Sequence, residues 1–175
     1  MKIVVLDKSV VTRRKLLGEI GENIAQDILT QNGFISVKNI NQTHLDIIGS
    51  KSNFPYADFY AERNNVKYTI SVKIRNKYQF SKNGKSTINP YYNLGSKCYE
   101  NAETALRNCM ADKAAWLAIV LERNIFNAYF GLLESLGGRR SVKMTEEAFV
   151  NYECLAHNIS HDFDYEKLKN TYQTR

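Results

Sequence analysis

The sequence predicts an α/β domain, a mixed sheet with helices packed on it, in the order helix, strand, strand, strand, helix, strand, strand, helix. Three observations predict it. Residues 12–32 carry apolar side chains at helical spacing. Residues 56–73, YADFYAERNNVKYTISVK, alternate in polarity on both sides of Asn64-Asn65. Ala114 to Leu121 is a continuous apolar run, the pattern of a strand covered on both faces. The 175 residues suffice for one domain, 1–175, with a real core, and are too few for two comfortable ones. The core is expected over about residues 12–136, followed by a C-terminal helical addition over about 145–175.

Each element has its own signal. Thr12 is a plausible N-cap, and Leu16, Leu17, Ile20, Ile24, Ala25, Ile28 and Leu29 form one buried helix face. Gly18 and Gly21 lie inside that helix at a cost of about 1 kcal/mol each against Ala. They imply either a delayed helix start or a close backbone approach. Gly33 suits the C′ position that ends the helix. A strand follows from Phe34 to Ile40, broken by Asn39, Asn41 and Gln42, and His44 to Ile48 resumes it. After the hairpin, Arg75 to Gly95 reads as polar, aromatic and irregular. Cys98 to Met110 reads as helix, Ala114 to Leu121 and Phe126 to Leu136 as strands, and Gly137-Gly138 as a turn. Thr145 opens a helix expected to reach about Ala156.

The hairpin has a definite register. With Asn64-Asn65 as a two-residue turn, Arg63 faces Val66, Glu62 faces Lys67, Tyr60 faces Thr69, and Asp58 falls opposite Ser71. Alternation then puts Lys67, Thr69, Ser71, Lys73 and Arg75 on one face with Asp58, Tyr60 and Glu62. Val66, Tyr68, Ile70, Val72 and Ile74 share the other with Ala57, Phe59 and Ala61. The apolar face is expected to be core and the polar face solvated or chemical. A one-residue slip would invert both, so the pattern specifies the register strongly.

Gly21-Glu22 on the first helix, Asp58, and Ser71-Val72-Lys73 at the end of the hairpin resemble the motif of the PD-(D/E)XK nuclease superfamily. Gly21-Glu22-x-x-Ala25 with Leu29 and Gly33-Phe34 is similar to the first helix of resolvase-like and Mrr-like members. The resemblance implies a restriction-endonuclease-like αβββαβ core and divalent-metal hydrolysis of phosphodiester bonds in DNA with Mg²⁺ or Mn²⁺. It also implies roles. Asp58, Glu22 and the backbone carbonyl of Val72 would be metal ligands, and Lys73 the catalytic lysine, with Ser71 standing where the family carries an acid. Two carboxylates can hold a hard cation through oxygen, and the ammonium group can stabilise charge on the reacting phosphate. Three accounts of Ser71 remain open. A carboxylate has moved, with Glu22, Asp46, Glu100 and Glu103 as candidates; the chain binds nucleic acid without cutting; or the resemblance is false. Glu62 is roughly 13 Å along the strand from Asp58, too far to share one cation.

Formal net charge is +6 and the pI about 9.2, compatible with a polyanionic partner, DNA before RNA. Arg75, Lys77, Lys82, Lys85 and Lys97, interleaved with Tyr78, Phe80, Tyr91 and Tyr92, suit a phosphate track with aromatic stacking; a solvated loop with tyrosines at its edges is the alternative. Gly137-Gly138-Arg139-Arg140 is a basic turn that could touch phosphate or simply be solvated. Cys154, His157 and His161 have helical zinc-ligand spacing but no evident fourth partner. Trp116 is expected in the core. The N-terminal apolar run is shorter than a signal h-region, no later run reaches a membrane span, and three cysteines make no paired framework. A cytoplasmic, reduced protein with no membrane partner is the expectation, and a homodimer is expected if both strands of a duplex are cut. There is no P-loop, Gly-x-Ser-x-Gly elbow or HExxH motif.

Overall fold

A computed structural model describes residues 18, 20–40, 56–80, 86–88, 91–143 and 152–161. The first helix, α1, covers residues 20–31. Gly33 ends it with φ +79°, while Phe34 N–H donates to Leu29 O at 3.0 Å and Gly33 N–H to Thr30 O at 3.3 Å, a Schellman closure. Strands β1 (Ile35–Asn39), β2 (Phe59–Arg63) and β3 (Val66–Asn76) follow. Three short strands come next, β4 (Tyr78–Phe80), β5 (Ser86–Ile88) and β6 (Tyr91–Asn93), inside the segment expected to be irregular. Helix α2 spans Cys98–Cys109, then β7 Lys113–Glu122 and β8 Ile125–Leu132. A 3₁₀ turn covers Leu133–Leu136, and β9 (Ser141–Lys143) and β10 (Glu153–Ser160) complete the described chain.

Six strands form the main sheet in the order β1-β2-β3-β7-β8-β10. Only the β3–β7 pair within it is parallel, and α2 lies in the crossover between those strands. Helix α1 covers one face with Ala25, Ile28 and Leu29 against Phe59, Ile70, Leu117 and Ile119. Helix α2 covers the other with Cys98, Ala102 and Ala105 against Trp116, Ala118 and Val120. Double coverage explains why β7 reads KAAWLAIVLE without alternation. The order α1, β1, β2, β3, α2, β7 is the expected αβββαβ core.

The hairpin register is the expected one, with Arg63 paired to Val66, Glu62 to Lys67, Tyr60 to Thr69 and Phe59 to Ile70. Asn64 and Asn65 both take positive φ, 53° and 62°, as a type I′ turn requires. The solvation of its polar face is corrected. Thr69 is 0 % exposed and Ser71 2 %, because α2 and its neighbours build a second core over that face. Ala57 also belongs to this second core rather than to the side of Phe59 and Ala61.

Two further expectations are corrected. The strand expected to run to Leu136 stops at Leu132 and turns into the 3₁₀ segment. The helix expected to reach Ala156 is strand at that end, since β10 pairs antiparallel with β8. Leu155 and Ala156 are buried there, and Arg63 grips Glu153 through two hydrogen bonds of 2.8 and 2.6 Å while its guanidinium lies 4.2 Å from the Phe34 ring centroid. A non-local edge pairing thus overrides the helical spacing of residues 153–156. The helical zinc geometry of Cys154, His157 and His161 goes with it, and Cys154 Sγ–H instead meets Ala156 O at 3.3 Å. Thr12, residues 44–48 and Thr145 lie outside the described residues.

Candidate active site

The site is built where the hairpin stops being a ladder. Asp58 N–H donates to Ile70 O at 2.9 Å, one position away from the register that pairs Phe59 with Ile70. Such a one-residue slip is the geometry of a β-bulge, a device that re-aims a side chain. Asp58 therefore does not sit opposite Ser71 as the simple ladder predicts. Its carboxylate turns along the strand edge, and Oδ2 accepts the Val72 N–H at 2.7 Å. Within a strand, residues two apart direct their N–H and C=O to the same side. Ile70 O faces β2, so the Val72 N–H and C=O also face that side, beyond the first paired residue of β2. The Asp58 carboxylate and the Val72 carbonyl thus share one edge, and the half-buried Lys73 follows at once.

Glu22 is brought toward this edge by packing. Gly21 lies so close to β3 that an added Cβ would stand 2.9 Å from Ile74 Cγ2, so this glycine is a close approach and not a delayed helix start. Gly18 has open space. The next residue, Glu22, accepts a 2.8 Å hydrogen bond at Oε2 from the buried Asn39 side-chain amide. Asn39 pairs with Phe59 across β1–β2, and Ile40 N–H donates to Asp58 O at 2.9 Å. One short segment, Asn39-Ile40, therefore ties both acids. In the sequence Asn39 carries only a strand-breaking signal, because its role depends on α1 packing against the end of β1.

Ser71 is sealed. It pairs with Trp116, which is itself 1 % exposed and lies across Gly131, whose added Cβ would meet the indole at 2.3 Å. Tyr56 closes the same side, its hydroxyl donating to Ala115 O at 2.7 Å. Burial foremost, then the neighbouring Cys98 and Asp58, pushes the Tyr56 phenol far up, so it stays a neutral donor. A carboxylate at position 71 would be desolvated against an indole, which accounts physically for a small hydroxyl there.

Of the other candidate acids, Glu100 and Glu103 are exposed on α2, and Asp46 lies outside the described residues. Glu62 accepts the Tyr60 hydroxyl at 2.7 Å. Among the expected phosphate contacts, Arg75 is exposed, while Lys77 is paired with Glu122 at 2.8 Å and lies 5.6 Å from the Tyr78 ring centroid. Tyr92 is corrected from the track to the core; it is buried, and its hydroxyl donates to Ile119 O. Tyr91 is 48 % exposed. Lys82 and Lys85 lie outside the described residues.

The carboxylates of Asp58 and Glu22 and the Val72 carbonyl are hard oxygen donors of the kind Mg²⁺ and Mn²⁺ take. Among the described residues, no group of three or more His, Cys, Asp or Glu side chains could hold a metal ion. A cation here would rest on one or two carboxylates, with water and phosphate completing its shell, which is the ordinary habit of Mg²⁺. The donor set fits such an ion.

No protein-family model matches the chain, and no curated protein matches it. Among solved structures, it is similar to Hjc, a Holliday junction resolvase of Archaeoglobus fulgidus, with TM-score 0.51 and 19 % identity over 79 % of this chain and 96 % of that one. The likeness, the αβββαβ order and the mixed sheet between two helices together establish a resolvase-type, restriction-endonuclease-like fold.

Proposed function

We propose that this chain is a divalent-metal-dependent endonuclease of the PD-(D/E)XK type that hydrolyses phosphodiester bonds in DNA. The observation that carries the reading is the Asp58 carboxylate turned onto the Val72 peptide at a bulge, immediately before Lys73. The resolvase likeness supports DNA as the polymer, and the net charge of +6 agrees with it.

Asp58, Glu22 and the Val72 carbonyl would hold Mg²⁺ or Mn²⁺, which when bound polarises phosphate oxygens and acidifies a coordinated water. The chain's own residues do the rest. The Val72 N–H fixes one Asp58 oxygen, so the carboxylate is oriented before substrate arrives. The Asn39 amide does the same for Glu22. The Lys73 ammonium group supplies positive charge beside the phosphate as charge builds on it. Arg75, two residues on and exposed, is available to the flanking phosphate.

One observation favours a second reading, a DNA-binding domain on the same scaffold without cleavage: the acid usual at position 71 is a buried serine. Incubation with Mn²⁺ and supercoiled, linear and four-way-junction DNA separates the two. The nuclease reading expects nicked or cut product, lost in Asp58→Ala and Lys73→Ala while both variants still show a cooperative melting transition above the assay temperature. Product formed equally by wild type and both variants refutes the assignment. DNA binding without product in wild type supports the second reading.

A further inference from the structure

The ribbon formed by β6 and β9 presents a second cationic surface. Tyr91 pairs with Lys143, Tyr92 with Val142 and Asn93 with Ser141. Alternation sorts these pairs. The middle one, Tyr92 and Val142, is buried in the second core, whereas Tyr91, Asn93 and Lys143 are exposed on the opposite face. The ribbon extends one residue further through Leu94 N–H to Arg140 O at 2.9 Å.

The turn that feeds it is shaped by Gly137 and Gly138, at φ +57° and +85°. Arg139 is fixed by its Nε–H on Leu136 O at 3.0 Å and by its carbonyl accepting the Tyr99 hydroxyl at 2.7 Å. Tyr99 and Cys98 open α2 beside the exposed Lys97; burial pushes both the Tyr99 phenol and the Cys98 thiol up, opposed in part by the Arg140 charge at both and the Arg139 charge at Tyr99. Lys143 therefore stands beside the exposed Tyr91 at one end of the ribbon, and the exposed Arg139 and Arg140 stand with Tyr99 and Lys97 at the other. Among the described residues no carboxylate forms an ion pair with any of the four.

Position gives this surface its partner. The buried Tyr92 hydroxyl donates to Ile119 O, and burial pushes its phenol well up, opposed in part by the nearby charge and backbone of Arg75. Arg75 pairs with Val120 at the end of β3 that carries Lys73. The ribbon thus abuts the end of the sheet where Lys73 and Arg75 stand.

We propose that the β6–β9 ribbon is a DNA-backbone clamp, in which Lys97, Arg139, Arg140 and Lys143 take phosphates beyond the scissile one and Tyr91 packs on sugar or base. The inference rests on the nuclease reading for its choice of DNA. Each cation lost from a phosphate contact lowers the slope of log affinity against log salt by about 0.9.

The test is fluorescence anisotropy of the full chain with a labelled 30-base-pair duplex in EDTA, titrated at several KCl concentrations. Arg139→Gln/Arg140→Gln and Lys143→Gln are compared with wild type and with Lys67→Gln, an exposed lysine at the turn end of the hairpin. Thermal melts verify folding. The proposal expects the double variant to bind about 10-fold more weakly near 0.1 M salt with a slope lower by nearly two, and Lys143→Gln to lose nearly one. Lys67→Gln should track wild type. Wild-type-like affinity and slope in the folded ribbon variants overturn the clamp while leaving the nuclease reading intact. A uniform loss that Lys67→Gln shares also overturns it, since the effect is then general charge. Absence of salt-sensitive binding by wild type itself overturns the choice of DNA and the clamp together.

Discussion

Ser71→Glu installs an acid where the resembled motif carries one, and the burial of position 71 predicts that the chain will not tolerate it. The position is 2 % exposed, pairs with Trp116, and lies under a core built by α2. Desolvation raises the pKa of a fully buried carboxyl by up to about 3–5 units. The unfolded carboxyl is ionised at pH 7 and the folded one must take up a proton, so at about 1.4 kcal/mol per unit the electrostatic loss at pH 7 is up to about 4 kcal/mol. The added volume brings a further 1–3 kcal/mol or so of overpacking. Both sums are large against a typical domain stability of about 5–15 kcal/mol. The assay is urea denaturation of wild type and Ser71→Glu between pH 4 and 8, with Mn²⁺ binding measured alongside. A folded-state pKa raised above the unfolded value of about 4.3 means that the unfolded state ionises first. The electrostatic part of the loss is therefore absent below about pH 4.3 and grows as pH rises toward the folded pKa. Recovery of several kcal/mol on acidification is the expected signature, with no gain in Mn²⁺ affinity. A variant as stable as wild type at pH 7, flat with pH and tighter for Mn²⁺, would refute the reasoning and make position 71 an open ligand site.

Three other perturbations follow from the geometry. Gly18→Ala should stabilise by up to about 1 kcal/mol from helix propensity, whereas Gly21→Ala should lose that gain to the clash with Ile74 at 2.9 Å and reduce cleavage by moving Glu22; equal stabilisation by the two in denaturant melts would contradict the close approach. Asn39→Ala should cost about 1–3 kcal/mol through the lost charged hydrogen bond and weaken Mn²⁺ binding to the folded protein, read by water-proton relaxation; unchanged relaxation would separate Glu22 from the cation site. Tyr60 has its phenol pushed up to about 12, chiefly by burial and then by the Glu62 hydrogen bond. The unfolded phenol ionises near pH 10, so stability should fall as pH rises from about 10 toward 12, and Tyr60→Phe should flatten that decline in alkaline melts.

The elements set by local chemistry were legible in the chain. Gly33 fixed where α1 ends, Asn64-Asn65 fixed the hairpin register to the residue, and the unbroken run of β7 announced a strand covered on both faces. The order αβββαβ came from the same patterns, whereas Asp58, Lys73 and Glu22 are proposed from the motif they resemble. Long-range packing decided the rest. Alternation alone cannot distinguish a wet polar face from one capped by α2, so Thr69 and Ser71 were misjudged. It cannot place a bulge either, because the slip at Asp58 arises where β2 parts from β3 and not from the residue types. The strand at Glu153–Ser160 was invisible for a like reason: the open edge of β8 and the Arg63 grip exist only once the sheet is assembled. Sequence determined which backbone runs could pair; the fold decided which serine is sealed and which edge Glu153–Ser160 takes, because those depend on surfaces that distant segments create together.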